Sequence, residues 1–172
     1  MTERILVAFD ESPQATGALR RTLERSPEAE IHVLHVTDPR EWMGSDGMGS
    51  GYYSEAAFER ARESAEALLE EAERIAGEYD TTVTTATREG RAASAVVEYA
   101  EEHDVDHVVL GSHGRTGLSR FLLGSVAETV ARRSPVSVTI VRETGRADDQ
   151  EDDRGDDPET DGRAGRSSAG ED

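Results

Sequence analysis

Five short apolar, β-favouring runs alternate with four stretches of helical periodicity along the first 142 residues. Residues 5–9 form a continuous run, the pattern of a strand buried on both faces. Asp10-Glu-Ser12-Pro13 ends it and opens a helix, with Ser12 as N-cap and Pro13 at the first helical position. Ala15, Ala18, Leu19 and Leu23 then share one face. A second strand covers 31–36, a long loop 37–51, and a helix about 54–78, with Gly77 marking its end. A third strand is expected over 81–87, followed by a helix carrying Ala92, Ala95, Val96, Tyr99 and Ala100. The fourth and fifth strands fall at 106–110 and 135–141, with a helix between them. Such alternation argues for parallel βαβ units with right-handed crossovers, an open α/β sheet covered on both faces.

The most informative loop follows the fourth strand: Gly111-Ser-His-Gly114-Arg-Thr-Gly-Leu-Ser-Arg-Phe-Leu-Leu-Gly124-Ser125. Glycines sit where a strand ends and where a helix begins, both places where backbone can approach a ligand closely. A helix start carries free N–H groups and partial positive charge, which suit a phosphate. The stretch therefore reads as a mononucleotide site with phosphates resting on backbone. Ser125-Val-Ala-Glu128 also fits a capping box, in which Ser125 would cap the helix while still donating its proton to a phosphate.

The spacing Gly, two residues, Gly, nine residues, Gly-Ser resembles the nucleotide signature of the universal stress protein family, in its ATP-binding branch. The resemblance runs from about Arg4 to Arg142, through Arg4-Ile-Leu-Val-Ala-Phe-Asp10, His32-Val-Leu-His-Val-Thr-Asp38 and Pro135-Val-Ser-Val-Thr-Ile-Val141. It implies a five-stranded parallel open sheet of order 3-2-1-4-5, Rossmann-type and adenine nucleotide alpha hydrolase-like. In that order the ends of the first and fourth strands meet at the topological switch point, where such sheets bind ligands. It also implies ATP, or ADP or AMP, as ligand, with Mg²⁺ or Mn²⁺ held mainly by the phosphates.

By the same resemblance Asp10 sits near the nucleoside or a phosphate-bound cation, Ala8 and Phe9 lend backbone, and the Val36 backbone meets the adenine edge. Gly111, His113, Gly114, Gly124, Ser125 and Val126 line the phosphate cradle, His113 through its backbone. Arg115 is either a phosphate partner or a surface residue. Asp10 has an alternative role as an acid at a helix entry. His32 and His35 lie three apart on a strand, so they face opposite sides and form no metal pair. His103 and His107 read as structural. The glycine-rich 44–51 stretch reads as linker or lid.

Composition narrows the function. Without lysine there is no Walker A loop, and without cysteine there is no disulfide, thiolate metal site or cysteine nucleophile. All 19 basic residues are arginine and the formal charge is −18, which repels nucleic acid and anionic membrane. Lysine loss with acid excess fits a salt-adapted protein. No apolar run reaches the roughly 18 residues of a membrane span, and the N-terminus shows no signal peptide, so a cytoplasmic location is expected. Residues 143–172 hold twelve acids against four arginines and almost no large apolar side chain, the composition of an acidic disordered tail. The domain is therefore 1–142. A homodimer through the last strand, Val136 to Val141, is expected from its place at a sheet edge. Three functions compete: a nucleotide-dependent stress or signalling module, a slow ATPase or phosphotransferase, and an interaction module independent of nucleotide.

Overall fold

The computed structural model describes residues 2–45, 51–112 and 123–142. The predicted tail 143–172 and loop residues His113, Gly114 and Arg115 lie outside the described residues. Strands β1 (Arg4–Ala8), β2 (Glu30–Thr37), β5 (Thr84–Glu89), β6 (His107–Gly111) and β7 (Ser137–Val141) form one parallel sheet in the order β5-β2-β1-β6-β7. Counting only the strands of this sheet, that order is 3-2-1-4-5, as expected. A short antiparallel pair, β3 (Met43–Ser45) and β4 (Gly51–Tyr53), stands apart from it.

Alternation along the central strand divides the core into two layers. Ile5, Val7 and Phe9 face one way, with Ile31, Val33 and Val109, against helices α1 (Pro13–Arg25) and α2 (Glu55–Gly77). Leu6 faces the other way, with Leu34, Val108 and Leu110, against α3 (Ala92–Glu102) and α4 (Ser125–Arg133). The two histidines of β2 follow this alternation. His32 turns to α3, where its Nδ1 meets the Tyr99 hydroxyl at 2.9 Å, and His35 turns to the α2 side. Helix entries form as their residue types dictate. Ser12 Oγ accepts from the Ala15 N–H at 3.2 Å and Ser54 Oγ from the Ala57 N–H at 3.3 Å, satisfying otherwise orphaned donors. The outer face of α2 carries i,i+3 and i,i+4 ion pairs, Arg62 with Glu59 and Glu66, and Arg74 with Glu71 and Glu78. Among the described residues no helix is long and apolar enough to cross a membrane.

Two expectations shift. The third sheet strand begins at Thr84 rather than Thr81 and runs to Glu89. The end of α2 consumes the missing residues: the Thr81 N–H bonds back to the Ala76 carbonyl at 3.1 Å, and Asp80 takes the left-handed conformation at φ 53°. The strand then follows the long β2 to the pair Thr37–Glu89. The expected 37–51 loop instead contains a 3₁₀ turn, Pro39–Glu41, and the β3–β4 pair. Trp42 is buried edge-on against Phe58 at 5.4 Å, and Phe58 also meets Tyr53 at 5.9 Å, pinning this ribbon to the first turn of α2.

Candidate functional site

The C-terminal ends of β1 and β6 lie side by side, with Ala8 in register with Leu110. The chain leaves β1 for α1 on one face and β6 for α4 on the other, which opens a crevice between the two connections.

On the β1 side, the Asp10 carboxylate accepts from the Ser12 N–H at 2.9 Å and from the Ser12 hydroxyl. It is thus fixed at the mouth of α1, doing the local work of a helix-entry acid. Phe9 has both backbone groups engaged by β2: its N–H donates to the Leu34 carbonyl at 2.9 Å, and its carbonyl accepts from His35 Nδ1–H at 2.9 Å. Its side chain is core. Ala8 is held in both neighbouring ladders. The β1–β2 ladder stops at Ala8 opposite Leu34, so Val36 continues past the end of β1. The Leu34 carbonyl faces β1, while the Thr37 carbonyl faces β5 and accepts from the Gly90 N–H at 2.9 Å. A period of two therefore turns the Val36 carbonyl to the β1 side, into the crevice.

On the β6 side, the loop has a closed neck. The Ser112 N–H donates to the Val141 carbonyl at 2.8 Å, and the Ser112 carbonyl accepts from the Gly124 N–H at 2.8 Å. Gly111 lies just below. A Cβ there would come within 2.8 Å of Gln14 Cβ, 3.0 Å of Gln14 C and 3.1 Å of the Ala15 nitrogen. Its smallness lets the first turn of α1 pack on the end of β6 and so sets the distance between the two connections.

The expected capping box at Ser125 does not form. Gly124 is the N-cap, with its carbonyl accepting from the Glu128 N–H at 2.9 Å, so Ser125 is already the first helical residue. Glu128 pairs instead with Arg132 at 2.9 Å. A glycine cap has no side chain to fold over the first-turn N–H groups. Ser125 and Val126 are both exposed at this helix start. The first turn of α4 can therefore receive an anion.

Sequence reasoning did not find a neighbouring cleft. About 270 Å³ in volume, it is lined by Glu11, His35, Thr37, Ala57, Arg60, Ala61 and Ser64. It lies where the Asp10–Ser12 turn, the end of β2 and the first half of α2 meet. The small residues Ala57 and Ala61, four apart on α2, were the available signal. At that spacing they read equally well as part of an apolar face turned to the core. Beyond the cleft, Asp38 accepts from the Arg40 side chain and backbone, which hold its carboxyl down at about 2. Among the described residues no group of three or more His, Asp or Glu is placed to hold a metal ion.

Residues 1–142 match the family model described as the Universal stress protein family. The chain is 31% identical to universal stress protein MJ0531 of Methanocaldococcus jannaschii over 142 residues, 81% of this chain and 82% of that protein. It is 32% identical to universal stress protein MJ0577 of the same organism, covering 83% and 96%. The solved structure of MJ0577 superposes with a TM-score of 0.70 at 29% identity, over 84% of this chain and 99% of the other. A universal stress protein solved in complex with cAMP superposes with a TM-score of 0.60 at 25% identity, covering 81% and 96%. The chain belongs to the universal stress protein family.

Proposed function

We propose that the protein binds an adenine nucleotide, ATP foremost, in the crevice between the ends of β1 and β6, and acts in a stress response through the bound state. The observation that carries this reading is the glycine-capped start of α4, held at the end of β6 by the Gly124–Ser112 bond. The cAMP complex of a family member supports an adenine ligand. Gly124, Ser125 and Val126 would present first-turn N–H groups to phosphate, and the Ser125 hydroxyl, released from capping, would add a donor. Gly111 would act indirectly, by seating α1 close to β6. The backbone beside Ala8 and Phe9 would form the crevice floor, and the outward Val36 carbonyl would meet the base. His113, Gly114 and Arg115 would complete the cradle from the loop. Mg²⁺ or Mn²⁺ would ride on the phosphates, with Asp10 as the nearest carboxylate. Asp10 is tied to Ser12, so it is better placed to orient the ligand than to activate water, and turnover is expected to be slow.

The functional unit on this reading is 1–142, with 143–172 an acidic appendage that keeps the chain soluble in the cytoplasm at high salt. Dimerisation would use the outer edge of β7. Val141 turns its carbonyl to β6, so alternation points the Val138 and Ile140 backbone groups outward. The Val138 and Ile140 side chains, in contrast, pack on the α3–α4 side of the core. Val138→Pro would therefore remove an edge donor without breaking the β6 ladder, and light scattering should show a shift to monomer.

Calorimetric titration of ATP in molar KCl with Mg²⁺ tests the nucleotide reading. Gly124 has φ −63° and ψ 149°, backbone that valine adopts without strain, so Gly124→Val is expected to crowd the phosphates, with circular dichroism and a thermal melt to check the fold. Wild-type binding that this change abolishes supports the reading. No wild-type binding would overturn it in favour of a nucleotide-independent interaction module.

A further inference from the structure

Two hydrogen bonds tie the end of the last strand to the glycine-capped helix. The Val141 carbonyl accepts from the Ser112 N–H at 2.8 Å, and the Ser112 carbonyl accepts from the Gly124 N–H at 2.8 Å. β7 runs parallel to β6 with Val141 in register with Gly111, so the chain leaves the sheet at the edge that holds the crevice. Arg142 follows and is exposed. The sequence beyond it turns acidic at once. Glu143 stands two residues from Val141, and Asp148, Asp149, Glu151, Asp152 and Asp153 come within the next ten, against the single arginine Arg146. Chain connectivity, at no more than about 3.6 Å per residue, keeps the first of these charges at the crevice mouth. The cap beside them attracts anions, because Gly124 brings no side chain over the first-turn N–H groups and Ser125 is exposed. Tethered carboxylates and an incoming polyphosphate therefore meet at one place with the same sign of charge.

We infer that the acidic segment beginning at Glu143 sets, through its field, the affinity of the crevice for a nucleoside polyphosphate, and makes that affinity rise with ionic strength. This rests on the nucleotide reading above and adds the regulation of that site. An anion drawn to helix N–H groups alone binds less tightly as salt screens the attraction. Like charges tethered at the mouth reverse that sign, because salt then screens a repulsion. The Debye length is about 8 Å at 0.15 M and about 3 Å at 1 M, so repulsion across the mouth acts at the lower salt and is largely gone at the higher. The carboxylates need no contact with the ligand for this effect. They need only stay near Val141, as the tether requires of Glu143 and its close neighbours. Nucleotide occupancy then reports the ionic strength of the surroundings.

The test is calorimetric titration of ATP with Mg²⁺ into the full chain at 0.15 M and at 1 M KCl. A near variant neutralises the six acids closest to Val141: Glu143→Gln, Asp148→Asn, Asp149→Asn, Glu151→Gln, Asp152→Asn and Asp153→Asn. A far variant removes the same number of charges through Asp156→Asn, Asp157→Asn, Glu159→Gln, Asp161→Asn, Glu171→Gln and Asp172→Asn. Circular dichroism and a thermal melt at both salts check that the variants fold as wild type does. At 0.15 M the near variant should bind ATP about threefold or more tighter than wild type, and tighter than the far variant. At 1 M all the affinities should agree. Equal affinities of wild type and near variant at 0.15 M would overturn the inference and leave the nucleotide reading intact. A gain that persists at 1 M would also overturn it, by pointing to contact rather than field. A gain matched by the far variant would do the same, by pointing to overall charge. No ATP binding by any of the proteins at 1 M, where the segment is screened, would remove the nucleotide reading and the inference with it.

Discussion

Gly111→Ala separates a structural role for this glycine from a role in ligand approach alone. The added Cβ would stand 2.8 Å from Gln14 Cβ, and two further contacts at 3.0 and 3.1 Å are to α1 backbone, which cannot swing aside. Ordinary contact begins at 3.4 Å, so the gap must open by about 0.6 Å. The first turn of α1 resists, because Ala15 N–H is held by both the carbonyl and the hydroxyl of Ser12. Overpacking of this kind costs about 1–3 kcal/mol. Reduced freedom of the unfolded chain returns about 0.4–1 kcal/mol of that. Taking the middle of each range, the ligand-free variant should be destabilised by roughly 1.3 kcal/mol, a fall of about 3–8 °C in Tm for a domain of this size. Urea unfolding in molar KCl, followed by circular dichroism, reads this as a lower midpoint at unchanged slope. A variant as stable as wild type without ligand would refute the steric account of Gly111.

Other outcomes follow from the opposite edge of the sheet and from the 3₁₀ turn. His32 Nε2 lies 3.0 Å from Glu30, so its proton faces the carboxylate and Nδ1 accepts from the Tyr99 hydroxyl. Tyr99→Phe leaves that buried nitrogen unpaired and should cost about 1–3 kcal/mol in urea unfolding. A Tyr99→Phe protein of unchanged stability would mean that the His32–Tyr99 bond contributes nothing. Asp38, held at about 2 by Arg40 against an ordinary 3.8, stabilises the fold above the ordinary range and loses that contribution as pH falls from 3.8 towards 2. The pair is exposed, so the effect is below about 1 kcal/mol, and molar salt reduces it. The stability gap between wild type and Asp38→Asn should close across that window, and a gap that widened on acidification would contradict the assignment.

Periodicity and caps were legible where local chemistry decides the structure. Ser12-Pro13 opened α1 as expected, the alternation of strands and helices gave the parallel sheet, and residues 5–9 and 106–110 became its central strands with boundaries shifted by a residue. Legibility failed where a distant or competing contact decides. Thr81 reads as strand by composition, but the left-handed Asp80 and the bond to Ala76 bind it to the end of α2. Ser125 satisfies a capping-box spacing, yet the helix starts one residue earlier, because Gly124 is drawn to Ser112 across the loop neck. Gly111 was recognisable as a position intolerant of a side chain, but the neighbour that makes it so is the first turn of α1, distant in sequence and visible only once β6 and α1 pack. His35 could be assigned a strand face from sequence, but its proton is placed by Phe9 on another strand.

Amide mapping of the ligand site is the most direct test of the account. Two-dimensional amide spectra of ¹⁵N-labelled protein would be recorded in molar KCl, with and without ATP and Mg²⁺. The account predicts the largest shifts at Val36, Gly111, Gly124, Ser125 and Val126, with His103, Asp106 and Glu30 at the opposite edge of the sheet unmoved. Shifts centred on that opposite edge, or along the outer strand β7, would contradict a nucleotide site between the ends of β1 and β6.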